Sequence, residues 1–212
     1  DEFARERRLF QPVSEIPELV KHAFISAEDK NFYIHHGFDP VGMAGAAWQA
    51  VVSGGTNVRG ASTIPQQVVK NILLSSDRNL ERKVKELILA TRLEQTLSKD
   101  KILELYLNEI FLGQNSYGVT AAAQVYFAKS LEELSIAEIA YLAALPKEPS
   151  NLHPVRQKAK AIDRRNYVIR QMRENGYITE AEAQAARAED LVTVQGGGLP
   201  SARVAMPPRD RK

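Results

Sequence analysis

The chain has 212 residues, a length that suits one domain with a core of ordinary size. Hydrophobic residues make up 44% and charged residues 25%, which excludes collagen-like and wholly disordered chains. Lys and Arg number 28 against 26 Asp and Glu, so the net charge of +2 demands no nucleic-acid partner. With no cysteine, the chain cannot use cysteine catalysis, a zinc–thiolate site or a disulfide framework.

The pattern is helical almost throughout, and no long alternating β-branched run asks for a large sheet. The first segment with chemical content is Glu28-Asp29-Lys30-Asn31-Phe32-Tyr33-Ile34-His35-His36-Gly37. Adjacent carboxylates on a helix diverge by about 100°, so one can work while the other anchors structure. Phe32 and Tyr33 offer an apolar wall that would raise a carboxylate's proton affinity, as proton transfer requires. Without such chemistry the segment reads as a solvated helix end with a Ser26-x-x-Asp29 cap. The His pair lacks a third ligand at metal spacing, so packing is the expected role.

Asp39-Pro40 reads as the cap and first position of a helix that Gly54-Gly55 stops. Residues 40–58 carry no charge, yet four glycines and several polar residues make the run unsuited to spanning a bilayer. Next comes Gly60-Ala61-Ser62-Thr63-Ile64-Pro65-Gln66-Gln67-Val68-Val69-Lys70-Asn71, a polar loop entering a helix near Pro65. Its helix N-terminus could cradle an anion or be a plain capped start. Residues 59–85 hold six basic side chains (Arg59, Lys70, Arg78, Arg82, Lys83, Lys85) against Asp77 and Glu81, a local +4. This is either a phosphate-binding cluster or a solvated face, and Arg82 and Glu86 stand one turn apart.

Leu80, Val84, Leu87 and Thr91 keep helical spacing, as do Ile102, Leu105, Tyr106 and Glu109. Ser98-Lys99-Asp100-Lys101 has the S-x-x-K spacing of penicillin-interacting enzymes, but no Lys-Thr-Gly accompanies it and Ser98 is a natural helix cap. Ser135 to Glu138 and Thr179 to Glu182 are capping boxes, and Gly176 should end a helix over about 156–175. From Val192 onward, Gly196-Gly197-Gly198, Pro200, Pro207 and Pro208 suggest a linker. The expected division is a domain over 10–190 and a tail over 191–212.

Taken in order, these blocks resemble the family-51 peptidoglycan glycosyltransferase domain of bifunctional class A penicillin-binding proteins. The agreement runs through Glu28-Asp29, Phe32 and His35-x-Gly37, then Gly60-x-Ser62-Thr63-Ile64-x-Gln66-Gln67 with Lys70-Asn71. It continues through Arg82-Lys83-x-x-Glu86, Lys101, Tyr106-Leu107-Asn108, Tyr117-Gly118, Tyr126-Phe127-x-Lys129, Pro146-Lys147-x-Pro149-Ser150 and Arg164-Arg165-Asn166. Ala61 and Ala128 replace residues that are usually glycine, which argues against a left-handed backbone at both positions. Pro65 stands where threonine is common.

The resemblance implies a mainly α, lysozyme-like glycosyltransferase fold: a larger helical lobe and a smaller membrane-proximal jaw, the jaw within about 40–80. It implies polymerisation of lipid II by a lipid-linked glycan donor, with inversion and loss of undecaprenyl diphosphate. On that reading Glu28 and Glu86 are catalytic. Ser62, Thr63, Gln66, Gln67, Lys70, Asn71, Arg82, Lys83 and Lys147 bind substrate, while Asp29, Phe32 and His35 support the site. No organic cofactor is implied, and a divalent ion (Mg or Mn) near Glu86 is compatible with it. Expected partners are lipid II, the lipid-linked glycan, the membrane surface, a transpeptidase domain and other cell-wall synthesis proteins, with no nucleic acid. Phosphoglycolipid inhibitors such as moenomycin should bind the same site. The expected location is periplasmic, or the outer face of the bacterial cytoplasmic membrane, with the anchor helix absent from this chain. The uncharged element from Val41 to Val58 then either touches the membrane or packs in the core, where Ala44, Gly45, Ala46 and Ala47 would also suit it. The alternative activity is a lysozyme-like lytic enzyme, which needs a catalytic acid but no cluster of cations for a diphosphate.

Overall fold

A computed structural model describes residues 7–52, 62–73 and 80–194. The expected helix stop at Gly54-Gly55, together with Arg59, Gly60, Ala61, Asp77, Arg78 and the glycine- and proline-rich tail, lies outside the described residues.

Strand β1 is Arg7–Arg8, and helix α1 is Glu18–Glu28. Helices α2 (Pro40–Val52), α3 (Ile64–Leu73), α4 (Leu80–Thr96) and α5 (Lys99–Glu109) follow. After strand β2 (Ser116–Tyr117) come α6 (Val119–Phe127), α7 (Ile136–Ala144), α8 (Lys158–Glu174) and α9 (Glu180–Ala188). Short 3₁₀ turns stand at Val13–Glu15, Leu131–Glu133 and Leu145–Lys147. The mainly α architecture is therefore as expected, and among the described residues the one sheet is the parallel pair β1–β2.

Helix α7 is apolar on nearly every side, with Ala137 and all of Ile139 to Ala144 buried, so it belongs in the centre. It packs against α1 and α8. In α1, Val20, Ala23, Phe24 and Ala27 form the buried stripe, and from Ala23 onward every residue is buried. The last turn of α1 therefore carries Glu28 into the interior. Helix α3 packs on α4 and α5, forming the opposite wall.

The cap signals were realised. Asp39 Oδ1 accepts the Gly42 amide at 2.8 Å, Ser98 caps α5, and Ser135 and Thr179 form capping boxes with Glu138 and Glu182. Gly176, at φ 77°, follows the end of α8. Ala128 overturns an expectation: it is left-handed at φ 53° despite its Cβ. The C-terminal turn of α6 imposes this, because the Ala128 and Lys129 amides reach back to the Gln124 and Ala123 carbonyls. A strain of about 1–2 kcal/mol for a Cβ in that region is small beside satisfying two orphan carbonyls.

Helix α2 is not the core helix that its small residues also suited. Val41, Trp48, Val51 and Val52 are between 68% and 78% exposed. Among the described residues, no helix is long and apolar enough to cross a membrane.

Candidate active site

Glu28, at the C-terminal end of α1, is 5% exposed. Its Oε2 accepts a hydrogen bond from Gln67 Nε2 of α3 at 2.9 Å. Its Oε1 has no hydrogen-bond partner among the described residues. Burial pushes this carboxyl above the ordinary carboxylate range, opposed by the Gln67 hydrogen bond and the positive charge of Arg164. The group lines a cavity of about 200 Å³ together with Ser62, Gln66, Gln67, Lys70, Glu86 and Lys147. Burial is also the main reason that the Lys147 ammonium lies below its usual range, followed by repulsion from Arg164.

Glu86, on α4, is 2% exposed. Its Oε2 accepts from Lys83 Nζ at 2.8 Å, and its Oε1 stands 3.2 Å from Arg82 Nε. Lys83 Nζ also donates to Ser62 Oγ at 3.0 Å. The one-turn pairing expected on α4 is thus present, with Glu86 gathering both cations and tying them to the start of α3.

Asp29, the residue after the last turn of α1, has left the helical conformation at φ −155° and ψ 70°. Its Oδ2 accepts the backbone N–H of Ile64, the first residue of α3, at 2.9 Å, and His35 Nε2 at 2.8 Å. The alternative reading of a local Ser26-x-x-Asp29 cap is not met: Asp29 caps a different helix, and Ser26 Oγ accepts from Asn175. Of the two readings of the start of α3, an anion cradle or a plain capped start, the structure shows the capped start. Asp29 holds the Ile64 amide, Thr63 Oγ1 receives the Gln66 amide at 3.4 Å, and Pro65 has no N–H. Thr63 is 3% exposed and its hydroxyl donates to the Gly37 carbonyl at 2.7 Å, so it supports the site from beneath.

Phe32 is fully buried and lies edge-on to His35 at 6.3 Å. Tyr33 is half exposed, and the carboxylates acting on it are Asp100 and Glu18, so it does not wall Glu28. A second cavity, of about 290 Å³, shares Gln67 and Lys70 with the first and adds Asn71, Glu109 and the rings of Phe111 and Tyr117, whose centroids are 5.1 Å apart. The structure thus unites Glu28, Gln66, Gln67, Lys70, Glu86 and Lys147 at one cavity and assigns Asn71 to its neighbour.

Sequence reasoning missed a role for Arg164, quoted only as part of a motif. It is 3% exposed, its guanidinium lies 4.3 Å from the Tyr167 ring, and its charge acts on Glu28. The sequence offered only the adjacent pair Arg164-Arg165, and burial of both became visible with the fold. Its neighbour Arg165 is structural, donating to the Arg187 and Glu189 carbonyls at the end of α9. Among the described residues, no group of three or more His, Asp or Glu gathers as a metal site.

A buried carboxylate of raised proton affinity thus shares one cavity of the helical scaffold with two lysines, Lys70 and Lys147. The chain belongs to the transglycosylase family, whose model matches residues 1–173. It is 50% identical over 194 residues to penicillin-binding protein 1A of Rickettsia felis, covering 91% of this chain and 25% of that protein. Against penicillin-binding protein 1A of Escherichia coli it is 48% identical over 190 residues, covering 90% of this chain and 22% of that protein. The crystal structure of penicillin-binding protein 1A from Haemophilus influenzae superposes with a TM-score of 0.53 at 28% identity, covering 89% of this chain and 18% of that one. The chain spans about a quarter of the length of these curated relatives. These findings bear out the resemblance to the glycosyltransferase domain of class A penicillin-binding proteins and the mainly α fold it implied.

Proposed function

We propose that this chain is a peptidoglycan glycosyltransferase that extends a lipid-linked glycan with lipid II. An acceptor sugar hydroxyl attacks the donor's anomeric carbon while its proton passes to Glu28. The bond from that carbon to the diphosphate oxygen breaks, and its electron pair leaves on the diphosphate. One displacement inverts the anomeric centre, as when a base and a departing group act on opposite faces of an inverting glycosidase substrate. The observation that carries this reading is Glu28: buried, raised in proton affinity, fixed through Oε2 by Gln67 and lining a cavity that it shares with two lysines.

The cations supply the second requirement. Lys70 and Lys147 line the cavity beside Glu28 and would meet the diphosphate oxygens. Glu86 holds Arg82 and Lys83, which fixes their positive charges before substrate arrives. A lytic enzyme would need an acid beside a glycan and no such cluster, so polymerisation is favoured. With both Glu86 oxygens already facing cations, a divalent ion there would take most of its ligands from the diphosphate.

The substrate's lipid stays in the bilayer, so the site must open at a membrane surface. Helix α2 suits that contact, since it has no acidic residue in its first turn, no basic residue in its last, and an apolar exposed set. A location at the outer face of a bacterial cytoplasmic membrane, beside a transpeptidase or other cell-wall synthesis proteins, follows from this activity. The purified chain, incubated with labelled lipid II, should yield a ladder of polymer on a gel. Unchanged lipid II, or cleavage of preformed glycan, would contradict the proposal.

A further inference from the structure

Two residues that no motif reading assigned a task, Glu94 and Lys99, pair beside the His35 segment. Glu94 of α4 and Lys99 at the start of α5 pair at 2.6 Å, and Glu94's side chain is 5% exposed. Lys99 Nζ also donates to the His35 carbonyl at 2.6 Å and lies 4.8 Å from the Phe32 ring centre. Glu94 Oε1 stands 3.6 Å from His35 Nδ1, and the other ring nitrogen binds Asp29. His36 contributes only an exposed ring 3.9 Å from Glu94.

The contacts continue toward the reacting end without a break. Asp29 holds the Ile64 amide, which seats the first turn of α3, and the Gly37 carbonyl holds Thr63 just before it. One turn further along α3, Gln67 binds Glu28. Gly37 lies close against α4, since a Cβ there would meet Thr91 backbone atoms at 2.7 Å. The loop after α1 is thus gripped by α4 on one side and grips α3 on the other.

We propose that Glu94 and Lys99 are positioning residues for glycosyl transfer. Resting on the assignment of Glu28 as the base, the proposal is that this pair locks His35 and Asp29, fixes the seat of α3, and so sets the Gln67–Glu28 geometry. Lys99 holds the segment through its bonds to Glu94 and to the His35 carbonyl, and misplacing a reacting group by 1 Å can cost about 10²-fold.

The test compares Glu94→Gln, Lys99→Met and Lys99→Arg with wild type in steady-state lipid II polymerisation. Glu28→Gln is run in the same assay, with thermal melts of every variant. Lys99→Met keeps the apolar stem over Phe32 but removes the charge, and Lys99→Arg keeps the charge. Glu94→Gln and Lys99→Met should lower kcat by about 10-fold or more with KM within about twofold, while Lys99→Arg restores most of the rate. If Glu94→Gln does not fold, the two lysine variants decide alone. Folded variants with wild-type kcat overturn the proposal, as does a loss that disappears at temperatures well below their melting points. An inactive Glu28→Gln beside a fully active Lys99→Met removes the positioning role alone. A fully active Glu28→Gln removes the base assignment on which it rests.

Discussion

Burial makes Glu28 costly to ionise, and the proposed role as base requires the ionised form. Its proton affinity is raised chiefly by burial, so the folded state favours the protonated carboxyl more than the unfolded state does. Stability from this group is therefore fully present below the ordinary carboxylate range and is lost as pH rises through the raised value. Glu28→Gln should melt higher than wild type at pH 7 to 8, and the gap should close as pH falls toward 4, as calorimetry across that range will show. The same shift places the acid limb of the kcat profile above the usual carboxylate position, because the base must be ionised. Removing the nearby charge in Lys147→Met should move that limb to still higher pH, since Lys147 favours the ionised form of Glu28. At the cation cluster, Arg82→Met should weaken binding of a phosphoglycolipid such as moenomycin by about 1.5–3 kcal/mol, the worth of a hydrogen bond to a charged group, as titration calorimetry can measure. Unchanged affinity would mark Arg82 as only a partner of Glu86.

At the scale of elements, what could be read in the sequence was local. Asp39, Ser98, Ser135 and Thr179 announce helix starts because each cap acts within three residues. Asp29 defeated that reading because its partner, Ile64, lies 35 residues away. The grip of Glu94 and Lys99 on the His35 segment was invisible for the same reason. Ala128 failed in a different way: composition argued against a left-handed residue, and the closing turn of α6 imposed one. Ala128→Gly should therefore stabilise the protein by up to about 1 kcal/mol in denaturant melts, since the relief of Cβ strain exceeds the entropy cost. Thr63→Val should cost about 1 kcal/mol, through loss of the cap on α3 and of the bond to Gly37. A neutral result for Thr63→Val would show that the start of α3 is held by Asp29 alone.

For the whole molecule, a net charge of +2 said little, because the informative feature is where the charges gather. Arg82, Lys83 and Glu86 converge with Lys70 and Lys147 only through the packing of α3, α4 and the turn after α7, which no local pattern encodes. The order of motifs nonetheless pointed to the family, and with it the fold. Exposure of Val41, Trp48, Val51 and Val52 removes the core reading of α2 that its small residues also suited, and leaves the membrane contact to be tested. Replacing both Val51 and Val52 with Glu should leave the melting temperature within a few degrees and abolish binding to anionic vesicles, as flotation would show. Unfolding of that variant would return α2 to the core. The central claim, that Glu28 removes the proton from the acceptor hydroxyl, is tested most directly by single-turnover lipid II polymerisation with folded Glu28→Gln at its optimal pH. The rate should fall by about 10²-fold or more, the usual worth of a positioned base, with substrate affinity little changed. A rate within a few fold of wild type would contradict the account.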